Sequence, residues 1–129
     1  MNFVYCFSNI SLTQRVLLYL EKTLKRSVES VTVIFLNDFW VVRIKLKATI
    51  DAGLLAHCRA VLNENGFPYQ LSPQLEPVIQ SLDAGCDALA AMNKHRIAII
   101  SHGHPTTEEL EHFRAQFLAG LGYCPSSLV

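Results

Sequence analysis

The chain has no surplus of charge of either sign. Eleven basic residues stand against eleven acidic ones, so the formal net charge is zero at pH 7 with neutral histidines. Proteins that bind nucleic acid or an anionic membrane through their overall field carry a basic excess. We therefore expect no membrane partner, the overall charge does not favour a nucleic acid, and any anionic ligand must meet a local patch of basic residues.

Long apolar runs are also missing. A membrane-spanning helix needs about 18–20 apolar residues, and Arg15, Glu21, Arg43 and Lys45 interrupt the best stretches. The first seven residues lack the basic segment and the small-residue cleavage site of a secretion signal. Together these absences predict a soluble protein located in the cytoplasm.

The cysteines form no recognisable site. Cys6, Cys58, Cys86 and Cys124 are widely separated, and no C-x-x-C pair is present that would indicate a zinc knuckle or a redox centre. His57 adjoins Cys58, but neighbouring helical positions point about 100° apart, so the two cannot form a catalytic pair. We expect buried, reduced thiols at the first three cysteines and an exposed thiol at Cys124 in the terminal tail.

Signatures of the best-known enzyme classes are absent as well. The sequence contains no phosphate-binding P-loop, no glycine-rich dinucleotide fingerprint, and neither H-E-x-x-H nor G-x-S-x-G. What it does contain is apolar residues, which make up 50% of the chain against 17% charged residues. This balance predicts a single folded domain, residues 1–129, with a packed core.

The spacing of apolar residues predicts an alternation of strands and helices. Asn37-Asp38 suits a tight hairpin turn, Gly66 suits a left-handed helix end, and Gly85 weakens the middle of the third helix. The predicted strands are 2–7, 31–36, 39–47 and 96–101, with a short one at 67–71. The predicted helices begin at the capping residues Ser11 and Asp51, near residue 77, and at Thr106.

This order predicts an α+β fold, a ferredoxin-like βαββα(β) sandwich with an additional C-terminal α-β-α segment. The fourth strand is either 67–71 or 96–101. We favour the first arrangement, in which 96–101 becomes an edge strand. Because strands 3–7 and 31–36 are apolar on both faces, the second face of the sheet must be covered by the extra helices or by another subunit.

The most suggestive local feature is a histidine-rich segment after the last strand. His102 and His104 are separated by one residue in a predicted loop, and Glu108 and His112 share a face of the final helix. Imidazole and carboxylate groups at this spacing can bind one divalent metal. The plainer alternative is that both histidines are solvated while Gly103 and Pro105 shape a turn, and no cofactor is predicted on this evidence alone.

A second feature is a basic stripe. Alternation along a strand aims Arg43, Lys45 and Lys47 the same way, and Lys22, Lys25 and Arg26 of the first helix can join them. Stacking aromatics from 3–7 would make this an RNA-binding sheet, although a solvated strand end explains the stripe equally. Tyr69, between Pro68 and Gln70, is a candidate for lining a pocket.

These observations favour a non-catalytic module that assembles with itself or with a protein partner, with room for a small-molecule ligand. The alternative is a metal-assisted or histidine-dependent enzyme that uses His102, His104, Glu108 and His112. An RNA-binding sheet is the third hypothesis. The sequence names no substrate for any of them.

Overall fold

The structure, a computed structural model, describes residues 2–36, 38–95 and 97–103. Strands and helices alternate as the apolar pattern predicts. In chain order they are β1 Asn2–Phe7, α1 Ile10–Thr23, β2 Val28–Leu36, β3 Phe39–Leu46, α2 Ala52–Asn65, β4 Phe67–Pro68, α3 Glu76–Asp83, α4 Ala88–His95 and β5 Ala98–Gly103.

The strands form one five-stranded sheet in the order β4-β1-β3-β2-β5, in which every neighbouring pair is antiparallel. The α+β class predicted from the sequence is confirmed. The favoured arrangement of the fourth strand is also what the sheet shows, because Phe67–Pro68 pairs with β1 while Ala98–Gly103 is added beside β2.

Helices α1 and α2 cover one face of the sheet. Their buried residues, among them Val16 and Leu62, pack with alternate residues of the strands in a single cluster. On β3 the members of this cluster are Trp40, Val42, Ile44 and Leu46, the four positions that alternation assigns to the core.

Helices α3 and α4 cover the other face. Val78, Ile79 and Leu82 of α3, with Ala91 of α4, pack against Ile34, Val41 and Ile99 of the sheet. The second face predicted to need cover is therefore covered within the chain. Burying apolar side chains on both faces is what fixes the strand register, since a slip by one residue would exchange the two sets.

Two helix ends differ from the sequence-based prediction. Helix α1 is capped by Asn9 and not by Ser11, because the Asn9 side chain accepts a hydrogen bond from the Leu12 N–H at 2.9 Å. Gly66 is extended, with φ −159°, where a left-handed end was predicted. A glycine is needed there for space: a Cβ would lie 2.5 Å from the Cys6 carbonyl oxygen and 2.5 Å from Cδ1 of Phe7.

The segment predicted as one helix near residues 77–93 is two helices separated by a turn. Gly85 has φ +97°, a conformation that a side chain would strain, and it ends the first helix. Asp38 in the β2–β3 turn also has positive φ, 66°, as its place in a tight hairpin predicts. In the described ranges, no helix is both long and apolar enough to cross a membrane.

Both edges of the sheet are poor templates for further strand pairing. Strand β4 has two residues, and one of them, Pro68, has no N–H to donate. Strand β5 carries a bulge, since Val33 and Ile34 are adjacent but pair with Ser101 and Ile99, so that Ile100 is the extra residue. A bulge twists an edge strand away from the flat geometry that strand addition needs.

Replacing Gly66 by alanine should lower the free energy of unfolding by about 2–3 kcal/mol, because the added methyl group meets backbone and a buried ring that cannot move aside. Urea denaturation followed by circular dichroism measures it. Gly85→Ala is the matched control, with open space and an unfavourable φ only, and should cost about 1 kcal/mol. Equal losses in the two variants would contradict the steric explanation.

Candidate functional site

A charged side chain lies in the second face of the sheet. Arg43, in the middle of β3, is 2% exposed and is held between the sheet and α3. Both terminal nitrogens of its guanidinium group donate to the carboxylate of Asp83, and Nη2 is also 3.5 Å from the Thr32 hydroxyl. A buried guanidinium needs such partners because desolvating a charge is costly.

Asp83 is the last residue of α3, where a negative charge opposes the helix dipole. The ion pair with Arg43 therefore compensates a carboxylate that would otherwise be unfavourable at this end. The Arg43 Nε atom is buried and has no hydrogen-bond partner among the described residues. The ion pair joins α3 to the centre of the sheet. We assign it a structural role, because both terminal nitrogens of Arg43 are already bound to the Asp83 carboxylate.

The predicted basic stripe of Arg43, Lys45 and Lys47 is not one exposed surface. Arg43 is buried because α3 and α4 cover the face that alternation left open to water. Lys45 is half-exposed, with its Nζ 3.7 Å from Glu29 Oε2, and Lys47 is exposed beyond the end of β3. The structure thus distributes the three residues among an interior ion pair, a surface ion pair and a loop.

The aromatic residues proposed to stack on RNA bases face the core. Tyr5 and Phe7 are buried against α1 and α2, on the face opposite Arg43. The Tyr5 hydroxyl donates to Asn63 Oδ1 at 2.7 Å. These two rings are therefore not open to a nucleic acid.

Of the predicted histidine cluster, only His102 falls within the described residues. Its backbone belongs to β5, opposite Thr32, and not to a loop. The ladder between β2 and β5 continues to the pair Val31 and Gly103, which explains why the strand runs two residues further than predicted. His104, Glu108 and His112 lie outside the described residues. No group of three potential metal ligands occurs within the part that is described, and a metal site stays a prediction.

Tyr69, the predicted pocket residue, is half-buried beside the second cluster. Its N–H donates to the Val4 carbonyl at 2.9 Å and so continues the pairing of β4 with β1. Its ring belongs to the packing of the second face.

Two cysteines are buried, as predicted. Burial raises the pKa of the Cys58 thiol from its ordinary value of 9.0 to about 11, and it also raises the pKa of Cys6. Such thiols are poor nucleophiles near neutral pH. Cys86, between α3 and α4, is only half-buried, and Cys124 is outside the described residues.

Two histidine contacts were not predicted from the sequence. Ser81 Oγ lies 3.1 Å from His95 Nε2 and joins α3 to α4, while the Tyr19 hydroxyl lies 2.8 Å from His57 Nδ1 and joins α1 to α2. A serine–histidine contact resembles part of a nucleophilic site. In the described ranges, no carboxylate or carbonyl orients the second nitrogen of His95, so the contact is explained as a link between two short helices.

Large apolar side chains are exposed mainly on one side of the sheet. Phe67 is 70% exposed, Leu89 50% and Phe39 49%. By register, Phe39 and Phe67 share the sheet face of Val41, which α3 and α4 cover, and Leu89 is on α4 itself. We call the exposed pair Phe39 and Phe67 the aromatic side. Among the described residues, one further large apolar side chain is exposed, that of Leu54, 36% exposed, on α2 across the sheet.

Comparison with known proteins gives a fold relationship and no family. No protein-family model matches the chain, and no curated protein matches it in sequence. A solved structure, that of the C-terminal domain of YpbH, is similar with a TM-score of 0.51 and 15% identity. The similarity covers 89% of this chain and 97% of that one. At this identity it concerns the fold alone, and it is consistent with the α+β arrangement.

Removing the partner of the buried arginine should be more costly than removing the arginine. Asp83→Ala leaves a buried guanidinium unpaired and should lower the free energy of unfolding by about 3 kcal/mol. Arg43→Met should cost about 1 kcal/mol, because the Asp83 side chain is 36% exposed and water can reach it. Chemical denaturation measures both. The exposed ion pair of Lys45 with Glu29 offers the control, because Glu29→Ala should lower the free energy of unfolding by less than about 1 kcal/mol. If Asp83→Ala lowers it by no more than Glu29→Ala does, the buried-charge explanation is excluded.

The Cys58 thiol should make stability depend on pH at alkaline values. Below pH 9 the thiol is protonated in both the folded and the unfolded chain and has no effect. Between pH 9 and about 11 only the unfolded chain ionises at this residue, so the native state should lose up to about 2–3 kcal/mol as the pH rises. Urea denaturation from pH 8 to 11 should show a shallower decline for Cys58→Ala than for the wild type, and identical declines would count against it.

Proposed function

We propose that this chain is a non-catalytic module, built on a ferredoxin-like sheet, that associates with a second copy of itself through the aromatic side. The observation that carries this proposal is the exposure of Phe39 and Phe67 on the same face of the sheet. Phenylalanine is enriched in the cores of protein interfaces, since burying one ring removes a large apolar area from water.

Both side chains project from a face of the sheet, which supports a contact made by side chains and not by strand pairing. Apolar residues elsewhere on both faces of the sheet are covered by the chain's own helices. Phe39 and Phe67 are large apolar residues that this cover leaves exposed. Association by strand addition is disfavoured, because Pro68 blocks one edge and the bulge at Ile100 distorts the other.

A second copy suits this surface for two reasons. A twofold contact brings the same patch of each protomer together, and an apolar patch is complementary to itself. The zero net charge of the chain also gives no long-range repulsion between copies.

The rest of the described chain supports a non-catalytic role. Its polar side-chain contacts join one element to another, as Arg43 joins β3 to α3 and Tyr5 joins β1 to α2. The metal-assisted enzyme that would use His102 with His104, Glu108 and His112 stays an alternative hypothesis. Metal analysis of protein purified without a histidine tag addresses it directly.

The association should be visible by sedimentation velocity in a dilution series from about 1 to 300 µM, a range suited to micromolar affinity. We expect the weight-average mass of the wild type to rise toward twice the monomer mass. Phe39→Thr combined with Phe67→Thr should remain monomeric, because threonine keeps the strand propensity and removes the apolar area.

The control is Leu54→Gln, which removes an exposed apolar side chain from the opposite side and should leave the association unchanged. A wild type that stays monomeric throughout the series, or a double variant that associates equally well, would refute the proposal. Circular dichroism verifies that each variant is folded.

A further inference from the structure

The turn after α1 is held in a defined conformation. The buried Leu24 carbonyl accepts hydrogen bonds from the N–H groups of Ser27 at 2.8 Å and Val28 at 3.1 Å. The Ser27 carbonyl in turn accepts from the Lys47 N–H at 2.8 Å, which attaches the turn to the end of β3. Side chains displayed by this turn therefore project from a fixed backbone.

A cavity of about 500 Å³ lies at this turn, between the end of α1 and the first turn of α2. Its walls are rich in hydrogen-bond donors. The lining consists of three basic residues, two hydroxyl residues, one acidic residue and one leucine, namely Lys22, Lys25, Arg26, Thr23, Ser27, Glu21 and Leu54. We call it the basic cavity.

Positive charge is concentrated at the basic cavity although the whole chain is neutral. Three cations and one carboxylate line it, and Lys22, Lys25 and Arg26 are all exposed to solvent. The helix dipole explains Lys22, which lies in the last turn of α1. Lys25 and Arg26 lie beyond the helix end, where that effect fades, so the helix dipole does not account for them.

We propose that the basic cavity binds a small organic phosphate, a phosphomonoester with an apolar substituent. Ammonium and guanidinium groups with two hydroxyls can serve the several acceptor oxygens of one phosphate. The Leu54 side chain, 36% exposed at the cavity wall, offers apolar contact to the remainder of the ligand. The volume falls in the range typical of small-molecule sites, about 300–1,000 Å³.

This site is independent of self-association. The basic cavity belongs to the side of the sheet that α1 and α2 cover, whereas the aromatic side belongs to the face of α3 and α4. Failure of either proposal therefore leaves the other in place, and each has its own measurement.

The test is a ¹H–¹⁵N NMR titration of the full chain at low ionic strength with inorganic phosphate, butyl phosphate, butyrate and butanol. We expect butyl phosphate to bind more tightly than inorganic phosphate, with the largest shifts at the amides of residues 22–27. Butyrate, with fewer acceptor oxygens, should bind more weakly, and butanol should produce no shifts there. Added salt should weaken binding because the cations are exposed. Phosphate titrations that leave these amides unchanged would overturn the proposal.

Substitutions separate the phosphate contact from the apolar contact. Lys25→Gln should weaken butyl phosphate binding about 3-fold, and the triple variant Lys22→Gln, Lys25→Gln, Arg26→Gln more than about 20-fold. Leu54→Ser should weaken butyl phosphate and leave inorganic phosphate unchanged. Lys94→Gln, an exposed lysine on α4, is the charge-matched control. If Lys94→Gln weakens butyl phosphate binding as much as Lys25→Gln does, the effect depends only on the overall charge of the protein and the proposed site is refuted.

Discussion

The apolar character of both faces of the sheet is the constraint on which the rest of the structure depends. Strands such as β2 place buried residues on alternate sides, Val33 toward α1 and α2 and Ile34 toward α3 and α4. A sheet of this kind needs two layers of cover, because exposing either face would place a continuous apolar area in water. The additional helices beyond β4 are therefore required by the strands, and few large apolar residues are left exposed in the described chain.

Arg43 is the exception within this apolar interior. A charge in the second face must be paired, and the pair with Asp83 has a defined geometry that hydrophobic contacts alone do not impose. The ion pair specifies where the end of α3 meets the sheet. The same arrangement removes Arg43 from any binding surface, whereas the three basic residues around the end of α1 stay exposed.

Sequence periodicity predicted most of the elements because local apolar patterns determine them. The core positions of β3, the cap at Asp51 and the tight turn at Asp38 all depend on neighbours in sequence. What it missed depends on partners distant in sequence. Arg43 appears solvated until α3, 40 residues later, covers it. Gly66 appears to be a left-handed helix end until the approach of Cys6 and Phe7 is seen, and the basic cavity needs Leu54 of α2 beside the turn that follows α1.

Because the second layer is divided into two short helices, α3 and α4, it should be locally less stable than the layer formed by α1 and α2. Each of these helices has eight residues, well below the length at which a helix persists alone in water, whereas α1 and α2 have 14 each. Their helicity depends on contact with the sheet, with Gly85 as a ready hinge between them. Partial opening of the native state should accordingly begin on this side. Amides of α3 and α4 should exchange with solvent deuterium through local opening of low free energy, whereas those of β1, β3 and α1 should exchange only through global unfolding.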